Sequence, residues 1–137
     1  MPRTAEDVEN YLIALGRPYE RAENGHAEAG TATFVLRAQG GPPIAVRISP
    51  PIVAVNAAIG DVPTDTAHQV AVFRKLLELN ATDLMHASYG IENGKIVLSA
   101  GLALENLDVN ELEATLADVD VALVRHTADL AHIARSS

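Results

Sequence analysis

The sequence has no cysteine and no tryptophan, and only two Phe and three Tyr among its 137 residues. Without cysteine, disulfides, thiolate metal sites and thiol catalysis are excluded. Basic residues are also scarce. Ten Lys and Arg stand against eighteen Asp and Glu, a formal net charge of −8. Affinity for a phosphate backbone comes from a basic surface, so nucleic acid is not an expected partner. An anionic membrane surface is disfavoured for the same reason. No apolar run before Met85 is long enough for a signal peptide or a membrane span, and Met1-Pro2-Arg3-Thr4 leads directly into a polar helix. A cytoplasmic location is the expectation.

What is present suits a single domain over residues 1–137. Hydrophobic residues make up 48% and charged residues 20%, a balance that favours a folded core over disorder. A chain of this size removes roughly two thirds of its surface from water on folding.

Thr4 to Leu15 reads as a helix. Thr4 and Asp7 form a capping-box pattern, Val8, Leu12 and Leu15 repeat at helical spacing, and Gly16 and Pro18 stop it. Tyr19 to Gly30 is weakly patterned and reads as a loop or a short edge strand. Three alternating runs follow: Thr31 to Ala38, Ile44 to Ser49, and Val53 to Ile59. Gln39 to Pro43 reads as a turn, and Pro50-Pro51 ends the second run, because proline cannot donate to a sheet ladder. Gly40-Gly41 is no phosphate cradle, since no helix begins after it.

A second helix spans about Thr64 to Leu79, capped by Thr64 or Asp65. At 100° per residue its apolar positions sweep an arc of about 240°, whereas covering one sheet needs little over about 100°. One sector holds Val70, Phe73 and Leu77; the other holds Val72, Leu76 and Leu79. The sheet can cover only one of them. These six residues are therefore the candidate dimer or partner surface.

Asn93-Gly94 between alternating runs signals a two-residue type I′ hairpin. Pairing outward sets Glu92 against Lys95, Ile91 against Ile96, Tyr89 against Leu98 and Ala87 against Ala100. Met85, Tyr89, Ile91, Ile96, Leu98 and Leu102 then share an apolar face, and His86, Ser88, Glu92, Lys95 and Ser99 a polar one. A last helix, about Asp108 to Ala134, carries a heptad seam through Val109, Leu112, Leu116, Val119, Leu123, His126, Leu130 and Ile133. Val121 and Val124 are expected to widen it. The order is helix, three antiparallel strands, helix, β-hairpin, helix: an α+β domain.

Catalytic and metal-binding signals are missing. His126 and His132 lie six apart, about 600° round a helix, and cannot share a metal. His126 in the seam is either a pH-sensitive contact or a histidine tolerated at a helix interface. The acidic residues Glu105, Asp108, Glu111, Glu113, Asp118 and Asp120 read as a solvated helix face. His86, Ser88 and Ser99 are the candidate hairpin surface; with Glu92 expected to pair with Lys95, they lack the carboxylate of a triad. No catalytic residue, cofactor or metal is expected.

The stretch from Leu76 to Leu116 carries "LLELN" at the close of a helix, the glycine-containing "ASYGIENGKIVLSAGL", and the leucine-rich "LALENLDVNEL". It resembles the C-terminal half of the YbjN and type III secretion chaperone-like superfamily, and the first half agrees in element order. The resemblance implies a small, acidic, cytosolic and usually dimeric protein, and it carries over to Leu76, Leu77 and Asn80, to the Tyr89–Leu98 hairpin and to the last helix. Secretion chaperones wrap an extended effector segment over the outside of their sheets, whereas YbjN-like members are described as regulators. The expectation is a non-enzymatic protein- or peptide-binding homodimer, chaperone-like or regulatory. The alternative is a sensor domain that binds a small molecule.

Overall fold

The expected cap forms at the first helix, α1 (Ala5–Ala14): the Asp7 N–H donates to the Thr4 hydroxyl at 3.3 Å, and the Thr4 N–H to Asp7 Oδ2 at 2.8 Å. Gly16, at φ +69°, turns the chain out of the helix. The computed structural model describes residues 3–22, 30–37 and 41–135. After α1 come β1 (Tyr19–Ala22), β2 (Ala32–Leu36), β3 (Ile44–Ser49) and β4 (Ile52–Asp61). Then follow α2 (Thr66–Thr82), β5 (Ser88–Glu92), β6 (Lys95–Ala103) and α3 (Val109–Arg135). Residues 23–29 and 38–40 lie outside the described residues, and with them parts of the weakly patterned segment and of the Gln39–Pro43 turn.

The strands form one antiparallel sheet in the order β1-β2-β3-β4-β6-β5. β1 is the short edge strand, pairing Tyr19 with Leu36 and Ala22 with Thr33. The cis Pro50–Pro51 peptide lies between β3 and β4. Alternation decides what each strand buries. Phe34, Val46, Val55 and Ala100 are in register across four strands and face the helices, as do Leu36, Ile48, Ala57 and Leu98. The opposite positions, including Val35, Ala45, Ala54 and Val97, are only partly buried. Among the described residues, no helix covers that second face.

Val8 and Leu12 of α1 and Leu112, Leu116, Val119, Leu123 and Leu130 of α3 close the core over the first face. Each such side chain, fully buried, is worth about 1.5–3 kcal/mol relative to exposure. Val121 and Val124 do not widen this seam. They stand about 180° and about 120° round the helix from Leu112, at 100° per residue, and Val124 is 77% exposed. Met85 leaves the expected apolar hairpin face as well: it precedes β5 in the turn and is 87% exposed. Ala87 also precedes the paired strand, and Ile91, though opposite Ile96, is half-exposed.

The hairpin turn has the expected geometry, with φ of 52° at Asn93 and 75° at Gly94. A Cβ at Gly94 would meet nothing within 4 Å, so a substitution there is resisted by the backbone alone. Gly94→Val is expected to lower stability by about 1–2 kcal/mol, the cost of a left-handed L-residue raised by β-branching. An unchanged melting temperature for that variant would contradict this reading of the turn.

Candidate protein-binding surfaces

Helix α2 begins where Asp65 Oδ2 accepts the His68 N–H at 2.9 Å. That hydrogen bond holds the Asp65 carboxyl below its ordinary range. From there the helix runs with its two apolar sectors facing different surroundings. Val72, Leu76 and Leu79 are buried in the core, beside β5 and α3, and are not available to a partner. Val70 and Leu77 are 61% and 69% exposed, and Phe73 is half-buried beside them. Together with Arg74, Glu78 and Ala81 they line a shallow depression of about 630 Å³. Arg74 Nε donates to Glu78 Oε1 at 3.1 Å along its edge. The exposed sector is thus an apolar strip with one cation and one anion on its border.

The second surface is the uncovered side of the sheet. Small side chains at Ala45, Ala54, Ala58, Ser99 and Gly90 keep it smooth, and a depression of about 420 Å³ lies over Ala45, Arg47, Asn56, Ala58 and Val97. Ser88 pairs with Ser99 there, but His86 precedes the strand, and no hydrogen bond joins it to either serine among the described residues. Lys95 pairs with Asp61, its neighbour on β4, and not with Glu92, which faces it from β5. Ser88 therefore has no oriented base. We expect a broad serine-reactive probe to leave it unlabelled by intact-mass spectrometry; an adduct that disappears in His86→Ala would overturn that expectation.

Side chains also fix the junction between α2 and β5, and sequence periodicity gives no hint of these contacts. Asn80 donates to the Tyr89 carbonyl at 3.2 Å and accepts the Tyr89 N–H at 2.7 Å. Its amide thus occupies the backbone groups of Tyr89 on the β5 edge as a neighbouring strand would. Asp118 Oδ2 accepts three successive backbone N–H groups, from Met85, His86 and Ala87, at 3.2, 2.8 and 3.0 Å. Two other members of the acidic run are engaged: Asp108 accepts the Glu111 N–H at 2.8 Å, and Asp120 pairs with Arg17. Half of that run is thus structural. A further groove of about 710 Å³ between α3 and the segment entering β1 is lined by Arg17, Arg37, Asp120, Leu123 and Val124. Among the described residues, no group of three or more His, Asp or Glu is placed to hold a metal ion, and no helix is long and apolar enough to cross a membrane.

The α+β fold, with its helix, strands, helix, hairpin and helix in that order, is the one the superfamily resemblance implies. The family model CesT_Tir_1, of type III secretion chaperones, matches residues 1–136. The chain belongs to that family. No curated protein sequence matches it. Among solved structures it is similar to a chain of the heterodimeric ExoU–SpcU complex from the type III secretion system of Pseudomonas aeruginosa. That match has 19% identity and a TM-score of 0.67 over 88% of this chain and 95% of the other. YbjN from E. coli, described as a putative transcription regulator, gives 12% identity and a TM-score of 0.65 over 93% of each chain. An uncharacterized protein from Methanothermobacter thermautotrophicus gives 10% and 0.66, over 93% of this chain and 96% of that one. At these identities the structures speak for the fold, and the CesT_Tir_1 match carries the family. Within the CesT_Tir_1 chain, the Asn80 of "LLELN" has a visible task, sealing Tyr89.

Proposed function

We propose that this protein is a non-enzymatic, chaperone-like binding protein of the cytoplasm, one domain over residues 1–137, that acts as a homodimer on a protein or peptide client. The observation that carries the reading is the outward strip of Val70, Phe73 and Leu77 on α2 in a chain of the secretion-chaperone family. Three large apolar side chains on one exposed helix face favour association. The border charges suit a twofold axis, because Arg74 and Glu78 lie one turn apart, and an antiparallel copy of α2 offers the opposite charge to each. The uncovered side of the sheet supports the other half of the proposal. Its shallow, small-residue surface suits an extended client segment better than a folded one. Such a client gains order on binding, so affinity per unit area is modest.

Phe73→Glu is expected to convert a dimer to a monomer, since the carboxylate would enter a desolvated contact. Sedimentation equilibrium or light scattering of both proteins makes the comparison. Wild type running as a monomer at high micromolar concentration would remove the homodimer from the proposal. The groove of about 710 Å³ beside α3 favours a second reading, a sensor for a small molecule, because its size suits a ligand pocket. A ligand screen by thermal shift separates the two, since a small ligand raises the melting temperature by mass action.

A further inference from the structure

Most charges on the uncovered side of the sheet are spent on one another. Glu20, opposite Val35, meets Arg37 at 3.7 Å, and Lys95 pairs with Asp61, its neighbour on β4. Arg47 on β3 and Glu92 on β5 are left over. Among the described residues, neither side chain has an ion pair or a hydrogen bond. Both are exposed, and both line the one shallow depression of about 420 Å³ on this face, with Ala45, Asn56, Ala58 and Val97 as its floor. The face of an antiparallel sheet that meets only water is ordinarily polar. Here small and apolar side chains separate a lone cation from a lone anion. We propose that this trough binds an extended segment carrying an acidic and a basic residue six positions apart, the acid on Arg47 and the base on Glu92. The inference rests on the reading that a client lies over this side of the sheet, and it adds the chemistry by which that client is chosen.

The spacing follows from the register. Arg47 lies opposite Ala54, Ala54 opposite Gly101, and Glu92 opposite Lys95. Gly101 and Lys95 are six residues apart on β6, about 20 Å along the strand. The three strand spacings from β3 to β5 add about 14 Å across it. The α-carbons of Arg47 and Glu92 therefore stand roughly 25 Å apart on a diagonal. In an extended segment, side chains on one face recur every second residue, so the acid and the base must be an even number apart. Six positions span about 20 Å, and the reach of the four long side chains covers the remainder; four positions, at about 13 Å, fall short.

The signs matter as much as the spacing. The chain as a whole carries a net charge of −8, so an unselective surface would favour the most cationic segment. A trough with one charge of each sign favours a mixed segment instead, and it penalises a like charge set against either end. Exposed ion pairs are weak singly, so each is expected to change affinity by about fivefold at most.

Blocked heptapeptides titrated into the full, ¹⁵N-labelled chain test the proposal, in about 0.15 M salt, where unspecific attraction is screened beyond about 8 Å. The mixed probe has Glu first and Lys last, with Thr and Val alternating between them. Its relatives carry Glu, Lys or Gln at both ends. The amide shifts of Ala45, Ala58 and Val97 are expected to move, and the mixed peptide to bind several-fold more tightly than the other three. Arg47→Glu should transfer the preference to the peptide with two lysines, and Glu92→Lys to the one with two glutamates. Both positions are exposed, so neither substitution threatens the fold. Equal binding of the Gln peptide and the mixed one would overturn the charge selection and leave an uncharged extended client in place. Tightest binding of the two-lysine peptide to the wild type would mean that net charge decides, and the proposal falls. No movement of these amides with any peptide would take the client off this face altogether.

Discussion

Phe34→Ala is expected to destabilise the fold by about 3–5 kcal/mol, a large part of the roughly 5–15 kcal/mol available to a domain of this kind. Phe34 is fully buried on β2, opposite Val46, and is one of the two phenylalanines in the chain. Tyr19 meets its ring edge-on with centroids 5.5 Å apart, and the Arg21 guanidinium lies 5.7 Å from its centre. Truncation leaves a cavity and also strips β1 of the side chain against which both Tyr19 and Arg21 rest. The Tyr19 ring beside it is tethered by its hydroxyl, which donates to Glu9 Oε2 at 2.7 Å. Val35→Ala, one residue away on the uncovered face, is the control and should change stability by about 1 kcal/mol or less. Urea denaturation of the two variants makes the comparison. A loss below about 1 kcal/mol for Phe34→Ala would mean that the core does not depend on this position.

Asp118→Ala is expected to remove about 2–3 kcal/mol, a loss typical of a hydrogen bond to a charged group and larger than a surface aspartate ordinarily carries. Its single oxygen accepts all three N–H groups of the turn before β5. In the variant, water can reach the two outer amides, but the Ala87 amide is partly buried and is left without its acceptor. Asp118→Asn keeps a carbonyl oxygen in place and should recover roughly half of the loss, since a neutral acceptor bonds about half as strongly. Equal stability of wild type and Asp118→Ala would show that the turn is held by its other contacts.

The elements that sequence reasoning placed well are those governed by local rules. The Thr4–Asp7 cap, the Asn93-Gly94 turn and the alternation in β2, β3, β4 and β6 each depend on residues close together in the chain. Helix α2 shows the limit. Its wide apolar arc was legible, but which sector met the core depended on where β5 and α3 lay, and that is long-range information. Val121 and Val124 lie off the buried side of α3, because angular position and not apolar identity decides which residues of a helix face the core. The junction contacts were hidden for a different reason. Asn80, Asp118 and His126 act on groups 9, 31 to 33 and 37 or 43 residues away, and no spacing rule connects such positions. Their residue types gave only a faint signal: a polar histidine inside an apolar seam, and an acid with no basic neighbour.

Asn80 also bears on what happens when the protein is concentrated. A fibre of stacked sheets grows only while each added unit presents a live end to the next. On the β5 side, the incoming strand would have to displace a side-chain amide already bonded to both backbone groups of Tyr89. The amide acts as a chain terminator does in a polymerisation. Strand addition at the β5 end must therefore begin by breaking two hydrogen bonds.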